Sequence, residues 1–112
     1  MPHYLIQIAY TPEAWATLIK KPQNRITAVR PAMEKAGVKL EASYLSFGEY
    51  DAIILVEAPD NVTVSGLVMD FAAGGALRAV KTTPLVTWED GVKAMKKAGQ
   101  ISYKPPTSRR KR

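Results

Sequence analysis

A chain of 112 residues, 46% hydrophobic and 23% charged, has the composition of one ordinary globular domain, long enough to bury roughly two-thirds of its extended surface. It has no cysteine, which excludes disulfides, thiolate nucleophiles, iron–sulfur clusters and zinc fingers and suits a reducing cytoplasm. The net charge of +6 is concentrated at one end: residues 104–112, KPPTSRRKR, hold five of the sixteen basic residues and no acid, leaving eleven bases against ten acids before them.

In chain order, HYLIQIAY (3–10) alternates with period two, placing Tyr4, Ile6, Ile8 and Tyr10 on one side of a strand and His3, Leu5, Gln7 and Ala9 on the other. Thr11, Pro12 and Glu13 then supply a cap, a proline for the first helical position and an acid in the first turn. Trp15, Leu18 and Ile19 give the helix an apolar stripe. Pro22 interrupts it, and Ile26, Val29 and Met33 resume it as far as Gly37. With Pro22 and Pro31 as breaks or kinks, two helical pieces are expected. KLEASYLSF (39–47) and YDAIILVEA (50–58) are separated by so short a connection that they read as an antiparallel hairpin. Asp60 or Asn61 caps a helix with Val64, Leu67, Val68 and Phe71 on its stripe, closed by Gly74 and Gly75. Residues 76–87 return as an extended segment. Thr87 opens a last helix, facing Asp90, with Val92 and Met95 before Gly99.

The paired prolines of the tail bar helix and ladder alike, so a folded domain over 1–103 and a disordered basic tail over 104–112 are expected. No run approaches the ~18 apolar residues of a membrane helix, no leader precedes the first strand, and the default compartment is the cytoplasm. Asn61-Val62-Thr63 matches a glycosylation sequon by chance in that setting.

The order strand, helix, strand, strand, helix, strand, with a terminal helix, is that of an α+β ferredoxin-like fold: a four-stranded antiparallel sheet with helices on one face. The other face is the informative one. Ala52, Ile54 and Val56 point one way in the third strand, Ile53 and Leu55 point the other, and Leu5 and Ala9 extend that second apolar side along the first strand. A second copy of the sheet covering this side is the simplest remedy, which makes Leu5, Ala9, Ile53 and Leu55 candidate oligomer contacts. The alternative is that the terminal helix or the tail folds across it.

The turn Gly48-Glu49-Tyr50-Asp51 in FGEYDAIILVEAPDN, the opening YLIQIAYT, the segment GGALRAVKTTPLVT and the closing EDGVKAMKKA resemble the GYD domain family of small bacterial proteins. The likeness spans roughly residues 3–98. It implies membership of the dimeric α/β-barrel superfamily, paired sheets and a cavity between sheet and helices. The family carries no settled activity.

For catalysis the weak candidates are Asp51 and Glu49 as a carboxylate pair beside the Tyr50 hydroxyl, and His3. Adjacent strand residues face opposite sides, so Asp51 and Tyr50 share a pocket only if a bulge re-aims one of them; as structure alone, the glycine permits the turn and Asp51 accepts bonds from loop amides. His3 is the one imidazole. The resemblance implies oxygenase chemistry in some relatives, with or without haem, but along the sequence His3 has no second histidine or cysteine to build a metal site, so no metal and no cofactor are expected. Tyr4, Tyr10, Trp15, Tyr44 and Phe71 are candidate ligand-binding aromatics. Pro2 at the head of a strand resembles the amine base of the tautomerase superfamily, whose strand order differs from the one here. A phosphate-binding glycine loop is missing, since no lysine and threonine follow Gly74-Gly75. Lys93, Lys96, Lys97 and Lys104 extend the positive field of the tail.

The functional expectation is a small oligomeric ligand-binding or protein-interaction module. The alternatives are a cofactor-light enzyme of oxygenase or isomerase type using the cavity, and a weak, salt-sensitive nucleic-acid contact through the tail.

Overall fold

Residues 1–106 are described by the computed structural model; most of the expected basic tail, residues 107–112, lies outside the described residues. Strand β1 (His3–Tyr10) leads through helices α1 (Pro12–Lys20) and α2 (Arg25–Lys35) to β2 (Lys39–Leu45) and β3 (Ala52–Glu57), then through α3 (Asn61–Ala73) to β4 (Leu77–Leu85) and the terminal α4 (Trp88–Ala98). The sheet order is β2-β3-β1-β4 with every neighbouring pair antiparallel, so the fold is the ferredoxin-like α+β arrangement with a divided first crossover.

Each helix begins where a short polar side chain relieves its unpaired amides. Thr11, Asn24, Asp60 and Thr87 accept from the backbone N–H of Ala14, Ile26 and Thr27, Thr63, and Asp90 respectively, each cap worth about 1 kcal/mol. The end of α2 is equally determined. Gly37 sits at φ 78°, Val38 N–H donates to the Met33 carbonyl at 2.9 Å, Gly37 N–H donates to Glu34, and Met33 and Val38 are both buried, which is the glycine-closed terminus with its apolar clasp.

Two helical pieces were expected from Pro22 and Pro31, and the break lies at Pro22 alone. Pro31 is inside α2, where its ring removes the amide that would have bonded the Thr27 carbonyl; packing of Val29 and Met33 on the core offsets one lost bond. The second strand is also shorter than its composition suggests: Ser46 already belongs to the turn, its N–H donating to the Asp51 carbonyl and its hydroxyl to that of Tyr50, and Phe47 is fully exposed.

The core lies between the sheet and the helices. Tyr4, Ile6, Ile8 and Tyr10 alternate inward from β1, Ala52, Ile54 and Val56 from β3, and Met33, Val64 and Leu67 come down from α2 and α3. Ile6, Met33 and Val56 are the largest side chains fully sealed from water, each contributing about 1.5–3 kcal/mol. Pro84 is accommodated because β4 is an edge strand.

Among the described residues, no helix covers the opposite face. His3, Leu5 and Gln7 of β1 stand there opposite Glu57, Leu55 and Ile53 of β3, with Tyr44 beside Ile53 and Thr83 beside Leu5. Of the expected contacts on this side, Leu5, Ile53 and Leu55 are half-buried and available, whereas Ala9 has no exposed surface and backs the face without presenting anything to a partner. Helix α4 does not fold across it: none of its residues is buried, and Trp88, Val92 and Met95 are 80%, 47% and 61% exposed.

Candidate functional site

The helices do not cover the sheet evenly. Helix α2 packs on β2 and α3 on β4, the two outer strands, so between them the central strands β3 and β1 floor a cavity of about 1120 Å³. Ile8, Ala52 and Ile54 line its base, Trp15, Leu18, Ile26 and Val29 one wall, and Phe71 and Leu77 the other. Polar groups lie at its margin: Asn24 ahead of α2, Arg25 and Arg30 from α2, Ser43 from β2, and Asp70 from α3. The volume and the mostly apolar lining match those of small-molecule sites.

Three of the five aromatic candidates, Tyr10, Trp15 and Phe71, line this cavity, while Tyr44, the register partner of Ile53, turns its ring to the helix-free face. Tyr4 does not; its ring borders a smaller hollow under α3, and its hydroxyl donates to Asn61 Oδ1. Tyr10 and Trp15 pack edge to face with centroids 5.3 Å apart and planes at 75°. Burial pushes the Tyr10 hydroxyl above the usual tyrosine range, Arg25 opposes that, and Asp51 adds to it, so the phenol is neutral at physiological pH.

Asp51 is committed to holding structure together. Its N–H donates to the Ile8 carbonyl at 2.7 Å, and its Oδ2 accepts from the Tyr10 N–H at 2.8 Å and from Trp15 Nε1–H at 3.3 Å. The carboxylate replaces the backbone acceptor that the ladder between β1 and β3 lacks where the hairpin turns away, and it ties that end of β1 to α1. Glu49 and Tyr50 are engaged through their carbonyls, which accept from Arg78 and from the Ser46 hydroxyl. Gly48 has φ 149°, the positive backbone angle expected for the turn.

His3 stands apart from that turn, at the far end of the helix-free face. Glu41 Oε1 lies 3.0 Å from its Nδ1 and Glu57 Oε1 3.6 Å from its Nε2, with Lys39 Nζ 3.9 Å from the other oxygen of Glu57. Neither carboxylate was singled out from the sequence. The pairing of His3 with Glu57 follows once β1 and β3 are set in register, and Glu41 joins them once β2 is set against β3 with Lys39 opposite Glu57.

No helix among the described residues is long and apolar enough to cross a membrane. The chain is 32% identical over 81 residues, 71% of its own length and 84% of the relative's, to the glutamine synthetase and cystathionine beta-lyase binding protein of Thermus thermophilus. Among solved structures it resembles MtbAldR with a TM-score of 0.60 at 19% identity, over 77% of this chain and 53% of that one, so it spans about half of that protein. The 5-chloro-2-hydroxyhydroquinone dehydrochlorinase of Burkholderia phenoliruptrix, solved with 2,5-dihydroxybenzoquinone, gives 0.54 at 16% identity, covering 75% and 93% of the two chains. These two likenesses carry the fold alone. The sequence pattern of the GYD domain matches residues 4–95, which with the Thermus relative establishes that the chain belongs to the GYD domain family.

Proposed function

We propose that the protein is a small self-assembling interaction module that pairs through its helix-free sheet face and docks on other proteins. The observation that carries this reading is the apolar surface left open among the described residues: Leu5, Ile53 and Leu55 side by side on a face that α4 leaves uncovered, and an α4 whose Trp88, Val92 and Met95 are all exposed. Leaving such surface in water is costly, and a second copy is the partner always present. The Thermus relative, named for binding two enzymes, supports docking on enzymes as the use of the remaining surface.

Size exclusion with light scattering tests the assembly. The wild-type chain should run above the 12.3 kDa of one copy, and Leu5→Glu with Leu55→Glu should return it to that mass while far-UV circular dichroism stays unchanged. A wild type that stays at one copy throughout the micromolar range sinks the pairing. Immobilised chain should also retain glutamine synthetase from the same organism, and Trp88→Ala with Met95→Ala should release it.

The cavity favours a second reading, binding of a small, largely apolar molecule between sheet and helices. Its three aromatic linings, Tyr10, Trp15 and Phe71, and the Arg25 and Arg30 margin suit a ring or branched chain with one polar end. Titration with such compounds, followed by Trp15 fluorescence in a Trp88→Phe background, is the direct measurement; silence across a chemically varied set counts against it. The same geometry gives catalysis little support, since Oδ2 of Asp51 already accepts two N–H groups.

A further inference from the structure

We propose that His3, Glu41 and Glu57 form a binding site for a divalent transition-metal ion such as Zn²⁺. Among the described residues they are the group of three metal-ligating side chains whose donor atoms converge, one atom from each lying within 4.8 Å of the other two. Ligands bound at ~2.0–2.2 Å to a shared ion sit somewhat closer than that, so small side-chain rotations close the set.

The fold brings the donors together by two separate devices. His3 and Glu57 are direct cross-strand partners, so their side chains leave the same face of the sheet. Glu41 comes from the other neighbour of β3, two residues after Lys39, the register partner of Glu57, so alternation sends it to the same side. The register shift between Leu40 and Ala42 falls at Glu41 itself, whose Oε1 lies 3.0 Å from the imidazole Nδ1. Three strands thus contribute one donor each.

Charge and donor chemistry then select the occupant. Two carboxylates crowd one imidazole, and the protein's own counterion is Lys39, which meets only Glu57, at 3.9 Å, on a side chain 73% exposed and able to swing away. A divalent cation neutralises both carboxylates where the ammonium offers a single charge to one. The imidazole nitrogen favours Zn²⁺ and its first-row neighbours over Ca²⁺ and Mg²⁺, which take oxygen donors. The three side chains are 24% to 34% exposed, so the site is partly screened from water yet accessible, and three protein donors leave a further position for water or an incoming group. The absence of a second histidine or cysteine, which argues against a metal when the sequence is read alone, is made good by two glutamates 16 positions apart in the chain. The site draws on no residue of a second copy, but it lies on the face proposed to pair, one cross-strand step from Leu5 and Leu55, so ion binding is read on the Leu5→Glu, Leu55→Glu chain as well as on the wild type.

The test uses the tag-free, full-length chain, with ZnCl₂ titrated calorimetrically in a non-coordinating buffer and Co²⁺ titrated by visible absorbance. One ion per chain should bind, and Zn²⁺ should displace the Co²⁺ bands. Glu41→Gln and Glu57→Gln keep shape and remove charge; each should weaken Zn²⁺ by at least the ~10–100-fold that disturbing a ligand's supporting partner costs. His3→Asn should abolish the Co²⁺ bands. Lys39→Met should tighten binding, a response that a surface ion pair with no metal role would not give. Wild-type chain that yields neither heat nor Co²⁺ absorbance overturns the proposal, as does Zn²⁺ affinity unchanged in both glutamine variants.

Discussion

Removing the Asp51 carboxylate should unfasten the hairpin from β1 and α1, and the cost can be worked from its bonds. Asp51→Ala leaves the N–H of Tyr10, a residue only 9% exposed, without an acceptor, and frees the Trp15 indole N–H as well. A bond to a charged acceptor contributes about 1.5–3 kcal/mol and the longer indole bond about 0.5–1.5, so a loss of roughly 2–4 kcal/mol follows. At about 4 °C per kcal/mol for a domain of this size, the melting temperature should fall by roughly 8–16 °C. Asp51→Asn is the informative companion. Its amide oxygen still accepts both donors and gives up only the charge, for a loss of about 0.5–1.5 kcal/mol. Thermal melts by circular dichroism, with urea midpoints as a second measure, separate the two variants. The structural assignment of Asp51 would be refuted by an alanine variant melting within ~2 °C of wild type, or by an asparagine variant as damaged as the alanine one.

Other outcomes follow from single residues. Met33→Ala, at a position 1% exposed, should cost about 2–5 kcal/mol in urea unfolding. Gly37→Ala and Gly66→Ala should move stability in opposite directions by about 1 kcal/mol or less: a side chain at φ 78° is strained although its Cβ has room, whereas an open position inside α3 gains helix propensity. Equal signs in the two melts would contradict the backbone assignment. The backbone N–H of Thr63 holds the Asp60 carboxyl below its ordinary value, so its contribution to α3 is complete above the unfolded-state aspartate range and lost as pH falls through the lower folded value. Asp60→Asn, which caps without titrating, should flatten that acid limb in pH-dependent melts. Tyr10 acts at the other end of the scale. Its folded-state hydroxyl keeps the proton that the unfolded chain gives up, so stability should decline once pH passes the ordinary tyrosine value, and Tyr10→Phe should reduce the decline.

The fold was legible because local signals and global pattern agree. Period-two alternation in residues 3–10, the caps at Thr11, Asp60 and Thr87, and the glycines at 37 and 75 each have a short-range physical cause, and each appears where that cause places it. Pro31 does not end α2, because a helix held to the core by the buried Met33 tolerates one missing amide. The site was less legible. Aromatic residues can be picked out by type, yet only the seating of α2 and α3 on the outer strands makes a cavity that Tyr10, Trp15 and Phe71 share, while Tyr44 faces the other way. The encounter of His3 with Glu41 and Glu57 depends on the mutual register of three strands, to which composition is blind.

Strands β1 and β3 are a partition one backbone thick, with Ile54 furnishing the floor of the chamber on one side and Ile53 and Leu55 the outer cladding on the other. Neighbours in sequence therefore look into different rooms. Any occupant that tilts or flattens that wall from within must also reshape the panel turned outward, so the two faces cannot be tuned by substitution as separate surfaces.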